Sequence, residues 1–155
     1  MEGFKGHCYC GGVEFEVSKS CNVHASLYCH CESCRRSHAA PVYHIVYVKP
    51  DDFSITKGEN LVNKFSRTPD SHVRSFCSVC GSKIANYLSN KPWIGFFPAT
   101  LEEEIQHDLP ISFQPTMHYC GHEAVIDVNK LDSTLPIRGD NPLPDDDAKP
   151  REPRT

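Results

Sequence analysis

Gly6-His7-Cys8-Tyr9-Cys10-Gly11-Gly12-Val13-Glu14-Phe15-Glu16-Val17 carries two signals in one short stretch. From Val13 to Val17 apolar and acidic residues alternate strictly, the period of a half-buried strand. The Cys-x-Cys ahead of it has a spacing that, on extended backbone, sends both side chains to one face. Cys8 and Cys10 are therefore expected to project together from a strand. Further on, Phe76-Cys77-Ser78-Val79-Cys80-Gly81-Ser82 reads as a zinc knuckle. The Gly after its second cysteine has no Cβ, so it can turn left-handed and aim backbone amides at a thiolate. Two ligands from each segment, Cys8, Cys10, Cys77 and Cys80, would complete a tetrahedral four-thiolate site, the closed arrangement of structural zinc.

The chain has 155 residues and nine cysteines. Its start, Met1-Glu2-Gly3-Phe4-Lys5-Gly6, lacks a basic segment leading into an apolar one, so no signal peptide is visible and a cytoplasmic location is expected. In a reducing compartment, cysteines in tight clusters are metal ligands or reactive thiols rather than a disulfide framework. The third cluster is Cys29-His30-Cys31-Glu32-Ser33-Cys34. If Cys29 and Cys31 leave an extended segment and Cys34 sits one helical turn on, three sulfurs cap one metal and leave a coordination position open, as in catalytic zinc sites. The competing reading is a second closed site completed by Cys120, His24, His38 or another histidine. Cys21 and Cys120 otherwise read as small buried hydrophobes.

At these residues the chain resembles the glutathione-dependent formaldehyde-activating enzyme family, which includes the centromere protein V group. The three motifs, Gly6-His7-Cys8-Tyr9-Cys10-Gly11, Cys29-His30-Cys31-Glu32-Ser33-Cys34-Arg35 and Phe76-Cys77-Ser78-Val79-Cys80-Gly81-Ser82, occur in the family's order. The resemblance implies a mostly β, zinc-stapled domain of several short coiled antiparallel sheets, of β-tent type, with little helix. It also implies two zinc ions per chain, a structural one at Cys8, Cys10, Cys77 and Cys80 and a catalytic one at Cys29, Cys31 and Cys34. Two departures bear on the substrate pocket. Ser37-His38-Ala39-Ala40-Pro41 stands where relatives carry small or glycine-rich residues, and His122-Glu123-Ala124-Val125 where an aromatic is usual.

Short strand signals separated by turn chemistry support the β reading. They are Val42–Val48, Phe53–Thr56, Leu61–Ser66, His72–Phe76, Lys83–Leu88 and Trp93–Phe97, the fourth and fifth forming a hairpin with the knuckle at its tip. Phe113–Tyr119 reads as an edge strand, because Pro115 cannot donate to a ladder. Helix is expected only as a short turn over Glu32–His38 and as a capped first turn at Thr100–Glu104. Residues 1–140 form one domain on this reading, and 141–155, Pro-rich and acidic, a disordered tail.

A net charge of −4 lacks the basic excess of a nucleic-acid binder, and no apolar run approaches a membrane span, so neither partner is expected. Homo-oligomerisation is left open. Zinc held by three thiolates is a poor activator of water, but it can hold a substrate thiol as thiolate, where a free thiol with a pKa of about 8.5 is mostly protonated. A thiolate is the nucleophile that adds to an aldehyde. The expected function is thus a carbon-sulfur lyase or synthase acting on a thiol and a small carbonyl, most simply glutathione plus formaldehyde giving S-(hydroxymethyl)glutathione. Arg35 and Arg36 are placed as captors of the peptide carboxylate and His38 as a proton carrier. The alternative is a non-catalytic zinc scaffold or interaction module of centromere protein V type.

Overall fold

A computed structural model describes residues 3–88 and 91–138 of the chain; the expected tail at 141–155 lies outside them. Β-structure dominates, as the spacing of apolar and turn residues predicts. A three-stranded antiparallel sheet has the order β1 (Phe4–His7), β2 (Glu14–Val17) and β5 (Phe53–Lys57). A larger sheet runs in the order β11 (Ile137–Arg138), β10 (His118–Tyr119), β3 (Ala25–Cys29), β4 (Tyr43–Val48), β9 (Ile94–Phe96), β8 (Lys83–Tyr87), β7 (Val73–Cys77) and β6 (Val62–Phe65). It is antiparallel except where β10 pairs with β3 and β11. Neither sheet closes into a barrel. The helices described are short: α1 (Glu32–His38), α2 (Glu103–His107) and α3 (Val128–Asp132). None is long and apolar enough to cross a membrane.

Strand β4 explains how one small chain supports two cores. Its sequence, Tyr-His-Ile-Val-Tyr-Val, does not alternate in polarity because both of its faces are covered. Val46 and Val48 join Phe15, Ile84, Phe96 and Phe113 in a first core, which also contains Cys8 and Cys77. Ile45 and Tyr47 join Leu27, Phe97 and the three clustered cysteines Cys29, Cys31 and Cys34 in a second. Cys8 and Cys77 thus share one apolar core while Cys29, Cys31 and Cys34 belong to the other, and Cys10 is exposed.

Three local expectations are corrected. Cys8 and Cys10 lie in the turn that joins β1 to β2, not on a strand face, because Gly11 adopts φ +71° and donates its N–H to Cys8 O at 2.9 Å. Phe113–Tyr119 is a 3-10 turn ending at Phe113 followed by the two-residue β10, which is inserted between β3 and β11 rather than lying at an edge. Pro115 falls in the connection, where no ladder bond is required of it. Thr100 closes a 3-10 turn, its hydroxyl donating to Phe97 O, and α2 starts after Glu102 with no side-chain cap.

Gly6 on β1 is packed against the ring of Phe15, and an added Cβ would also stand 2.6 Å from Thr100 O. That backbone oxygen cannot swing aside. Gly6→Ala is expected to destabilise the domain by about 1–3 kcal/mol through overpacking, read as a lowered midpoint of thermal unfolding for the metal-loaded protein.

Candidate metal centres

The four thiols of the first centre converge from two hairpin tips. The β1–β2 turn carries Cys8 and Cys10, and the β7–β8 turn carries Cys77 and Cys80. In both turns a glycine in the left-handed region follows the second cysteine, Gly11 at φ +71° and Gly81 at φ +76°. Gly81 N–H donates to Cys77 O at 2.8 Å, so the two loops are built alike. They are tied together by Tyr9 N–H, which donates to Ser82 Oγ at 2.9 Å. All four Sγ atoms lie within 4.8 Å of one another, with Cys8 to Cys10 at 3.5 Å and Cys10 to Cys77 at 3.8 Å. Sulfurs bound at 2.3 Å to a tetrahedral zinc are separated by about 3.8 Å. The donor set therefore fits zinc. Two of the four sulfurs also have neighbours that favour thiolate: Val13 N–H donates to Cys8 Sγ at 3.2 Å, and the Ser82 hydroxyl and amide hold Cys80 down to about 5.

The second centre forms where β3 gives way to α1. Cys29 ends the strand, Cys31 precedes the helix with φ −62° and ψ 146°, and Cys34 lies on the first helical turn. The change from extended to helical backbone folds the three Sγ atoms to within 4.8 Å of one another, with Cys29 and Cys31 3.5 Å apart. Among the described residues no fourth cysteine, histidine or carboxylate donor joins this group. His24 is stacked on Trp93, with centroids 3.9 Å apart. Cys120 is buried in the same core, where burial pushes its thiol up to about 12. The set thus fits a metal held by three thiolates with one position left for another ligand.

His30, between two of these cysteines, is buried and turned to His118, with Nε2 3.0 Å from His118 Nδ1. Arg35 Nε donates to His30 O at 3.0 Å and its Nη2 to Glu123 O at 3.2 Å, which latches α1 to the 3-10 turn at Gly121–Glu123. Glu123 returns the contact by accepting the Glu32 N–H at 2.7 Å. A carboxylate thus covers the positive end of α1 where Cys31 supplies no side-chain cap. Arg36 is exposed and pairs with Glu32 one turn back. His38 is stacked on Tyr43, with centroids 4.2 Å apart, and burial lowers its pKa to about 4.

Sequence reasoning missed Tyr43 and Arg74. Tyr43 Oη donates to Cys34 Sγ at 3.1 Å, and Arg74 Nη2 approaches the same sulfur at 3.6 Å. The neighbouring Cys29 and Cys31 thiols, together with Arg74 and Tyr43, hold Cys34 well below the usual thiol range. No local pattern marks these residues, because their strands reach α1 only through the order of the sheet.

A family model described as "Glutathione-dependent formaldehyde-activating enzyme" matches residues 3–121, which contain all seven clustered cysteines. The chain belongs to that family. The fold agrees with a crystal structure of a Rhodobacter sphaeroides protein. That protein is 21% identical, with a TM-score of 0.55 over 86% of this chain and 99% of that one. At that identity the likeness shows a common fold. Membership in the formaldehyde-activating enzyme family agrees with the resemblance read from the three cysteine motifs.

Proposed function

We propose that this protein is a cytoplasmic zinc-dependent carbon-sulfur lyase or synthase that joins a thiol to a small carbonyl, most simply glutathione to formaldehyde. The observation that carries the reading is the second centre, three convergent thiols with no fourth donor among the described residues, in a chain of the formaldehyde-activating enzyme family. Cys29, Cys31 and Cys34 would hold the catalytic zinc, and Cys8, Cys10, Cys77 and Cys80 the structural one. When bound, the catalytic zinc supplies the capacity to keep a substrate thiol as thiolate at neutral pH.

The addition balances without a redox partner. The thiol loses its proton, a sulfur–carbon bond forms as the carbonyl π pair moves to oxygen, and that oxygen takes a proton to give the S-hydroxymethyl adduct. The chain's own groups serve this step by position. Arg36, at the exposed face of α1, is the guanidinium suited to a peptide carboxylate. Arg35 backs it by fixing the helix through His30 and Glu123. His38, neutral at pH 7, keeps its buried Nε2 without a partner among the described residues. On this reading it is the group that exchanges a hydrogen bond with the new hydroxyl.

The test is to mix zinc-loaded protein with glutathione and formaldehyde and follow exchange between free and adduct forms by NMR. Acceleration over the spontaneous reaction is expected; its absence would sink that substrate pair. A stable co-purifying partner together with no thiol-dependent activity would instead favour a scaffold of centromere protein V type.

A further inference from the structure

Arg74 stands on β7, forty residues from Cys34 in sequence, yet its Nη2 lies 3.6 Å from the Cys34 sulfur. Its other terminal nitrogen, Nη1, is buried and has no hydrogen-bond partner among the described residues. Among the described residues no carboxylate pairs with this guanidinium. Taking a cation out of water is costly unless an anion compensates it. The group within its reach that can carry negative charge is the Cys34 thiolate, because Tyr43 keeps its phenol proton and donates it to the same sulfur. The counter-charge of Arg74 is therefore the cysteine centre itself.

The centre has a complementary need. A divalent metal held by three thiolates carries one net negative charge inside an apolar core made of Leu27, Ile45, Tyr47, Leu88 and Phe97. One buried guanidinium neutralises it. The contact falls on Cys34, the only one of the three ligands carried within α1, while Tyr43 Oη donates to the same sulfur from β4. The sulfur is thus gripped from two strands. Groups that hydrogen-bond to metal ligands orient them, and losing one typically costs 10–100-fold in metal affinity.

We propose that Arg74 is a positioning residue of the three-cysteine centre, fixing Cys34 through Nη2 and supplying the positive charge that lets three thiolates share one metal in an apolar core. Its role differs from that of Arg35 and Arg36, which lie beside the cysteines in sequence but direct their guanidinium nitrogens at backbone carbonyls and at Glu32. The assignment rests on the metal-binding part of the proposed function and not on its substrates.

The experiment compares wild type, Arg74→Gln, Arg74→Lys and the exposed control Arg67→Gln, each fully loaded with zinc and challenged with a graded chelator. Zinc per chain is the readout. Arg74→Gln is expected to release the more labile ion at 10–100-fold lower chelator concentration while keeping the other, whose retention reports an intact fold. Arg74→Lys, which keeps the charge but loses the fork, should fall between it and wild type, and Arg67→Gln should match wild type. Substitution of cobalt for the labile zinc should show a thiolate-to-metal absorption band shifted in Arg74→Gln. Release curves for Arg74→Gln identical to wild type would overturn the assignment. So would loss of fold in both Arg74 variants under conditions where wild type stripped of its labile zinc stays folded, because Arg74 would then support the sheet rather than the centre. Wild type that binds two ions but exchanges no adduct would sink the substrate reading and leave Arg74 in place. Wild type that binds a single ion under all loading conditions would overturn both.

Discussion

Cys77→Ser is expected to yield insoluble or molten protein. Cys77 ends β7, is fully buried, and belongs both to the four-thiol centre and to the core containing Phe15, Ile84, Phe96 and Phe113. Structural zinc contributes on the order of 10 kcal/mol or more to folding at neutral pH. That is comparable with the whole net stability of a domain, about 5–15 kcal/mol. The β1–β2 and β7–β8 turns meet at this site and are joined by the Tyr9–Ser82 hydrogen bond. A missing ligand would therefore release both hairpins from the core. The checks are near-ultraviolet circular dichroism, zinc per chain and solubility after expression. A Cys77→Ser variant with wild-type thermal stability would contradict the structural role.

Cys31→Ser, by contrast, should remain folded, lose one zinc per chain, and show adduct exchange no faster than the spontaneous reaction. Cys31 occupies the capping position ahead of α1. Serine is a favoured residue there, so the helix start should be kept or improved. Glu123 and Arg35 continue to latch α1 in place. What disappears is one of three sulfurs, and two thiolates from Cys29 and Cys34 hold a metal poorly. Elemental analysis, thermal unfolding and NMR exchange on one preparation separate these effects. Equal loss of stability in Cys31→Ser and Cys77→Ser would abolish the division of roles between the two centres.

Much of this was legible locally. Cys77-Ser78-Val79-Cys80-Gly81 could be read as a turn between strands because the left-handed glycine and the ligand spacing are properties of five consecutive residues, and φ +76° at Gly81 agrees with that. The middle motif was likewise local, since a strand that ends at Cys29 and a helix that contains Cys34 bring three sulfurs together within six residues. The Cys8–Cys10 turn reads as strand from sequence alone because Cys-x-Cys continues the two-residue period that follows Val13, across Gly11 and Gly12. Those glycines end the hairpin turn that β2 leaves.

By itself, the sequence determined the mostly β class, the grouping of seven cysteines into three motifs and the family. These depend on spacing along the chain, where backbone geometry translates short intervals directly into positions. Only the tertiary structure decided which groups serve the second centre from outside its motif. Tyr43 and Arg74 meet Cys34 because the sheet order places β4 and β7 where α1 can reach both. The adjacent Arg35 is drawn instead to His30 and Glu123. Charge and hydrogen bonding act through space, so a guanidinium forty residues away can reach a sulfur while the one next to it in the chain bonds elsewhere.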